Sequence, residues 1–168
     1  MRIGLALLRV IVGALFVGHG LQKLLGWFGG HGPEATGEYF EAVGLRPGKE
    51  HALAAGASET LGGALLALGF LTPAAAALIS GVQAAAIRTV HLPKGVWNHE
   101  GGYEYNLVLI ALAVAIADVG PGALSADEAL GLRLSGPGWA LASLGAGLAG
   151  AAYVTRGATP PADEAAPA

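Results

Sequence analysis

The stretch IGLALLRVIVGALFVGHGLQKLL, from Ile3 to Leu25, decides the class of this protein. A helix that crosses a bilayer needs about 20 mostly apolar residues, because the hydrocarbon layer is about 30 Å thick and each residue advances about 1.5 Å. Ile3–Leu25 meets that length with only Arg9, His19 and Lys23 as ionisable interruptions. A cleaved secretory signal would carry an uninterrupted apolar run and a small-residue cleavage site. Here Arg9 breaks the run and the apolar character continues through Leu21-Gln22-Lys23-Leu24-Leu25, so a retained membrane helix is expected.

Composition extends this reading to the whole chain. Of 168 residues, 54% are hydrophobic and 12% charged; soluble domains carry about 25% charged residues. Half the usual charge leaves too little polar surface to coat a small globule in water. The net charge of −3 comes without any basic run or stripe, which argues against a nucleic-acid partner. With no cysteine, dithiol chemistry, iron–sulfur ligation and thiolate zinc sites are excluded.

Outward from the first span, GWFGGHGP at Gly26–Pro33 breaks the helix and places aromatics at a membrane interface. Glu34–Val43 then alternates acidic and apolar residues at helical spacing, predicting a short interfacial helix. Further spans are expected at Ala52–Leu71, Ala74–His91 and Tyr103–Val119, with Pro73 starting a helix after a tight turn. Ser125 reads as an N-cap for Ala126–Leu134, with Glu128 completing a capping box. A fifth apolar stretch runs from Gly138 to Val154, and the tail from Thr155 is expected to be disordered. The expected fold is therefore an all-α membrane protein: a four-transmembrane-helix bundle with a fifth C-terminal transmembrane helix and a short interfacial helix after the first span. Small residues at four-residue steps would let the helices approach closely, Ala55, Gly63 and Ala67 around Glu59 and Gly138, Ala142, Ala146 and Gly150 in the last span.

Ionisable groups in hydrocarbon are expensive and therefore informative. In the first span Arg9, Gly13, Phe16, Gly20 and Lys23 share one face; in the fourth, Glu104, Val108, Ala111, Ala115 and Asp118 do. The two charged pairs are equally spaced and the two spans antiparallel, which predicts Lys23 opposite Glu104 and Arg9 paired with Asp118. At the level of the two long loops, His19, Gln22, Lys23, Glu59, Gln83, Arg88, His91, Glu104 and Asn106 form a candidate polar pocket. The same groups can equally serve to fix helix register, and the residues alone leave both readings open. The five histidines (His19, His31, His51, His91, His99) show no ligand spacing, so no metal or haem site is expected.

Several of these motifs carry a family resemblance. HGLQKL at His19–Leu24 with GWFGGHG at Gly26–Gly32 resembles the first-helix signature of the DoxX family (DoxX/DoxD-like bacterial integral membrane proteins). ETLGGALLALGFLTP at Glu59–Pro73 resembles its second helix and turn. HLPKGVWN at His91–Asn98, GGYEYNLVL at Gly101–Leu109 and GPGALSADE at Gly120–Glu128 resemble its later segments. The resemblance implies a DoxX-like four-helix membrane domain over residues 1–134, an additional C-terminal transmembrane helix over 135–155 and a disordered tail over 156–168. It also implies a multi-pass location in the bacterial plasma membrane and a link to quinone- and thiol-handling redox systems.

Three functions follow as expectations. The first is an accessory or scaffold subunit of a membrane-associated redox system, with a quinone held in the polar pocket and a soluble oxidoreductase or a second copy as partner. The second is a quinone-linked oxidoreductase in its own right, with His19, Lys23 and His91 as donors and Glu59 and Glu104 as proton relays. The third is a small-solute carrier using the same charges. Any thiol chemistry would fall to a partner, since this chain has no cysteine.

Overall fold

The computed structural model describes residues 3–158, and every regular element among them is helical. The order is α1 (Ile3–Leu25), α2 (Gly32–Ala42), α3 (Gly48–Leu68), α4 (Thr72–Ala86), α5 (Glu104–Val119), α6 (Ala126–Ala129) and α7 (Pro137–Val154). α4 runs on through a π-helical turn, Ile87–His91, and a 3-10 turn, Leu92–Lys94. Two helices, Ile3–Leu25 and Thr72–Lys94, are long and apolar enough to cross a membrane. α5, with 16 residues, is about 24 Å long at the α-helical rise.

α1 is built inside out relative to a helix of a water-soluble protein. Its buried residues are Arg9, Gly13, Phe16 and Gly20, the face expected from the sequence. Ile3, Leu7, Ile11 and Leu15 are each more than half exposed, while Arg9 is 1% exposed. Burying a cation while displaying four large aliphatics inverts the pattern of a water-exposed helix and matches that of one facing hydrocarbon.

Small residues set which helices touch. α1 packs on α3, and a Cβ on Gly13 would stand 2.5 Å from the Gly63 carbonyl oxygen; one on Gly20 would stand 2.6 Å from that of Gly56. The backbones meet directly, as close packing between apolar helices requires. α4 is the hub, packing on α3, α5 and α7. Gly147 of α7 sits against Ala77 and Gly81 of α4. The buried stripe of α7 is Ala140, Ser143, Gly147 and Ala151, not the expected Gly138, Ala142, Ala146 and Gly150. A Cβ on Gly138 or Gly150 would meet nothing.

α2 matches the short helix expected at Glu34–Val43 and is fastened to the start of α3. Lys49 Nζ donates to Glu34 Oε1 at 2.6 Å, and the Gly48 amide donates to Glu41 Oε1 at 3.1 Å. Both charges of the Glu34–Lys49 pair are exposed; their mutual hydrogen bond holds the Glu34 carboxyl below and the Lys49 ammonium above the ordinary range.

The α3–α4 turn and α6 form one buried polar knot. Ser125 caps α6 as expected, accepting from the Glu128 amide at 3.2 Å. That cap aims Asp127, 1% exposed, at the turn: its carboxylate accepts from the Leu71 amide at 2.8 Å, the Thr72 amide at 3.1 Å and the Thr72 hydroxyl at 2.7 Å. Arg9 reaches the same knot, donating to the Leu124 carbonyl oxygen with Asp127 as its opposite charge. The expected pairing of Arg9 with Asp118 is thus overturned, and Asp118 is exposed. Lys23 likewise pairs with Glu59, not Glu104. Both corrections have one cause: α3, not α5, lies against the polar face of α1, because its glycines allow the nearer approach. The expected tail lies mostly outside the described residues; within them, Arg156 stacks over the Tyr153 ring at 4.1 Å.

Candidate functional site

α3 and α7 both pack closely on α4 with at most marginal contact between them, which leaves a groove between them with α4 as its floor. The floor and walls are small: Ala54, Ala55 and Ser58 from α3, Ala77, Gly81 and Ala85 from α4, Ala146 and Gly150 from α7. Tyr39 and Phe40 of α2, with Leu45 after it, add to the lining. The cavity measures about 480 Å³ and falls in the range of small-molecule sites. Its lining is apolar except for Lys23, His51, Ser58, Glu59, Thr89, His91 and the Tyr39 hydroxyl.

A second cavity of about 170 Å³ lies on the other side of Glu59, among α1, α3, α4 and α5. His19, Glu59, Gln83, Tyr105 and Asn106 line it with Phe16 and Leu109. Glu59 is the one ionisable side chain common to both cavities.

The polar groups are held in pairs. Lys23 Nζ donates to Glu59 Oε2 at 2.6 Å, with the carboxylate the more deeply buried partner. Asn106 Nδ2 donates to Gln83 Oε1 at 2.6 Å, fixing α5 against α4. His19 Nδ1 lies 3.1 Å from Gln22 Oε1, and Gln22 Nε2 donates to the Phe28 carbonyl oxygen at 3.2 Å. That last bond ties the tight loop after α1, where Phe28 adopts a positive φ of 52°. His91 Nδ1 lies 2.7 Å from the Gly101 carbonyl oxygen, joining the extension of α4 to the loop before α5.

Of the nine sequence-derived pocket residues, Lys23, Glu59 and His91 line the groove. His19, Gln83 and Asn106 join Glu59 in the smaller cavity, with Gln22 beside them. Arg88 and Glu104 line neither cavity. The π turn that begins at Ile87 departs from α-helical register, and Arg88 ends exposed. The sequence reading missed His51 and the part played by α2 and α7. His51, Ala55 and Glu59 follow one another at helical steps of four, so the period that placed Glu59 on an inner face could also have placed His51. α2 and α7 carried no such signal, because their groove-facing residues are apolar or small. Among the described residues, no three His, Asp or Glu side chains are grouped to hold a metal ion.

The family model described as DoxX matches residues 4–92, more than half of the chain. The Bacillus subtilis (strain 168) protein named "Putative oxidoreductase CatD" is 33% identical over 114 residues, which cover 68% of this chain and 78% of that one. No solved structure matches.

Proposed function

Because the chain belongs to the DoxX family, we propose that it is a multi-pass protein of the bacterial plasma membrane, an accessory subunit of a membrane-associated redox system that holds a quinone in the groove between α3 and α7. α1, α3, α4 with its extension, and α5 would form the four-span unit of residues 1–134. α7 would add a fifth crossing within 135–155. The exposed aliphatic face of α1 around its buried arginine supports placement in lipid. Arg46, Lys49 and Lys94 at the long-loop end favour a cytoplasmic position for those loops.

One observation carries the quinone reading: a groove of about 480 Å³ lined by small apolar residues, with the Lys23–Glu59 pair and two histidines among its few polar groups. A quinone presents a flat ring, two carbonyl acceptors and an apolar tail. Alanine and glycine walls admit the ring, the Lys23 ammonium can donate to a carbonyl, and the gap between α3 and α7 offers the tail a way to lipid. Glu59 orients Lys23 and keeps its charge compensated in a medium of low polarity. A bound quinone would supply two-electron redox chemistry. The chain has no cysteine, so thiol oxidation would fall to a soluble partner. The Bacillus subtilis relative named as an oxidoreductase is consistent with membership in such a system.

The test is binding of decylubiquinone to the full chain in lipid nanodiscs, with Ala55→Leu and Gly150→Leu filling the groove from opposite walls. Gly150 has open space around it, so its substitution should preserve folding. Saturable binding lost in both variants is expected; binding unaffected by either would refute the groove as the site. Co-purification of a soluble oxidoreductase from native membranes tests the accessory role, and its absence alongside quinone turnover by the chain alone would overturn that role.

A further inference from the structure

Resting on the groove reading, we propose that His91 is the group by which this site distinguishes the reduced from the oxidised form of its ligand, and that its protonation reverses the preference. The geometry is specific. His91 Nδ1 stands 2.7 Å from the Gly101 carbonyl oxygen. A carbonyl oxygen can only accept, so Nδ1 must carry the hydrogen. In the neutral ring that leaves Nε2 with a lone pair and no hydrogen. The sole ring nitrogen left to a groove occupant is therefore an acceptor, not the donor that a bare histidine suggests. It favours a ligand hydroxyl, as on a hydroquinone, over a quinone carbonyl.

Protonation changes only Nε2. The bond to Gly101 survives, because Nδ1 donates in both states, so the ring stays in place while its free nitrogen turns from acceptor to donor. The preferred ligand then becomes the one with a carbonyl. Backbone of the α4–α5 loop thus supplies the orienting contact, and the π turn Ile87–His91 delivers the ring to it. The other titratable groups facing the groove are Lys23 from α1, Tyr39 from α2, and His51 and Glu59 from α3, while the Lys94 side chain lies beside Gly101, the partner of His91. α7 contributes Ala146, Gly147, Gly150 and Val154, none of which titrates. Lys23 and Glu59 are engaged with each other at 2.6 Å, and substitution of His91 alone separates its contribution from theirs. His51 is the other histidine that lines the groove, and it serves as the control.

The experiment measures dissociation constants of decylubiquinone and its hydroquinone, anaerobically, for the full chain in nanodiscs at pH 8 and pH 5.5. The quinone-to-hydroquinone ratio of dissociation constants should fall roughly tenfold from the higher to the lower pH, the size of one exchanged hydrogen bond. His91→Gln should abolish the change, and His51→Gln should keep it. A flat ratio in the unmodified protein, or a change that persists in His91→Gln, overturns the proposal. Should His91→Gln fail to fold, nitrogen-15 shifts of histidine in the unmodified protein decide the matter. A proton on Nδ1 supports the assignment, and one on Nε2 overturns it. Failure of both ligand forms to bind overturns the groove reading itself, which is a different result from equal binding of both.

Discussion

Asp127→Asn should be the most damaging single-atom change in this protein. The carboxylate is 1% exposed and accepts three hydrogen bonds, two from backbone amides of the α3–α4 turn and one from the Thr72 hydroxyl. The asparagine amide can replace one oxygen but turns the other acceptor into a donor facing donors. A buried group left without its partner costs about 1–3 kcal/mol. A second loss is electrostatic. Arg9 is equally buried, its Nε and Nη1 have no hydrogen-bond partner among the described residues, and Asp127 is its countercharge. Arg9 and Asp127 are not in direct contact, so removing the carboxylate costs only part of the about 3–5 kcal/mol seen when a bonded buried pair is broken, by leaving the cation without its countercharge. The two penalties share the same site, so about 2–4 kcal/mol together is expected, not their full sum. The double variant Arg9→Met, Asp127→Asn removes the stranded charge and should recover most of the electrostatic part. Unfolding of the purified protein in mixed micelles, followed by far-ultraviolet circular dichroism, measures each variant. Asp127→Asn within about 0.5 kcal/mol of the unmodified protein would refute the argument, as would a double variant no more stable than the single one.

Three further outcomes follow from other parts of the structure. Gly20→Leu should break the α1–α3 contact and lower stability by at least about 2 kcal/mol, since even its first carbon meets the Gly56 backbone; Gly18→Leu, with open space around it, should be neutral in the same unfolding assay. Glu34 is held below the ordinary carboxylate range by its hydrogen bond from Lys49, so the pair's contribution is present above about pH 4.3 and fades as pH falls through the lower folded value. The raised Lys49 contributes below its unfolded value and fades as pH rises through the folded one. Amide exchange in α2 should therefore quicken in acid and in strong base, and Glu34→Gln should remove the acid limb. Single cysteines at Trp97 and Leu130 in this cysteine-free chain should label from opposite sides of sealed vesicles, and labelling from one side only would refute the bundle.

Helix positions were legible because hydrophobic length and breaker residues are local properties. α1 ends where Leu25 meets Gly26, and α6 begins where Ser125 caps it, and both are visible without knowing any neighbour. The inner face of α1 was legible for the same reason, as a period within one helix. Partnership is a different kind of property. Equal spacing of Arg9 and Lys23 with Glu104 and Asp118 satisfied the charge pattern, yet it ignored which helix can come nearest. Charge attraction is strong only after water and lipid are excluded, and that exclusion is governed by side-chain size. Gly13 and Gly20 face Gly63 and Gly56 across α1 and α3, and that match draws Glu59 to Lys23 at 2.6 Å. Asp127 was missed because its helix spans one turn and lies far from Arg9 in sequence, with only the Ser125 cap to suggest that the carboxylate is fixed. Small residues choose the neighbours in this fold, and the charges then settle onto whatever those neighbours present. It follows that enlarging a glycine should disturb ion pairs several residues away, whereas exchanging the charges of Lys23 and Glu59 should leave the helix arrangement intact.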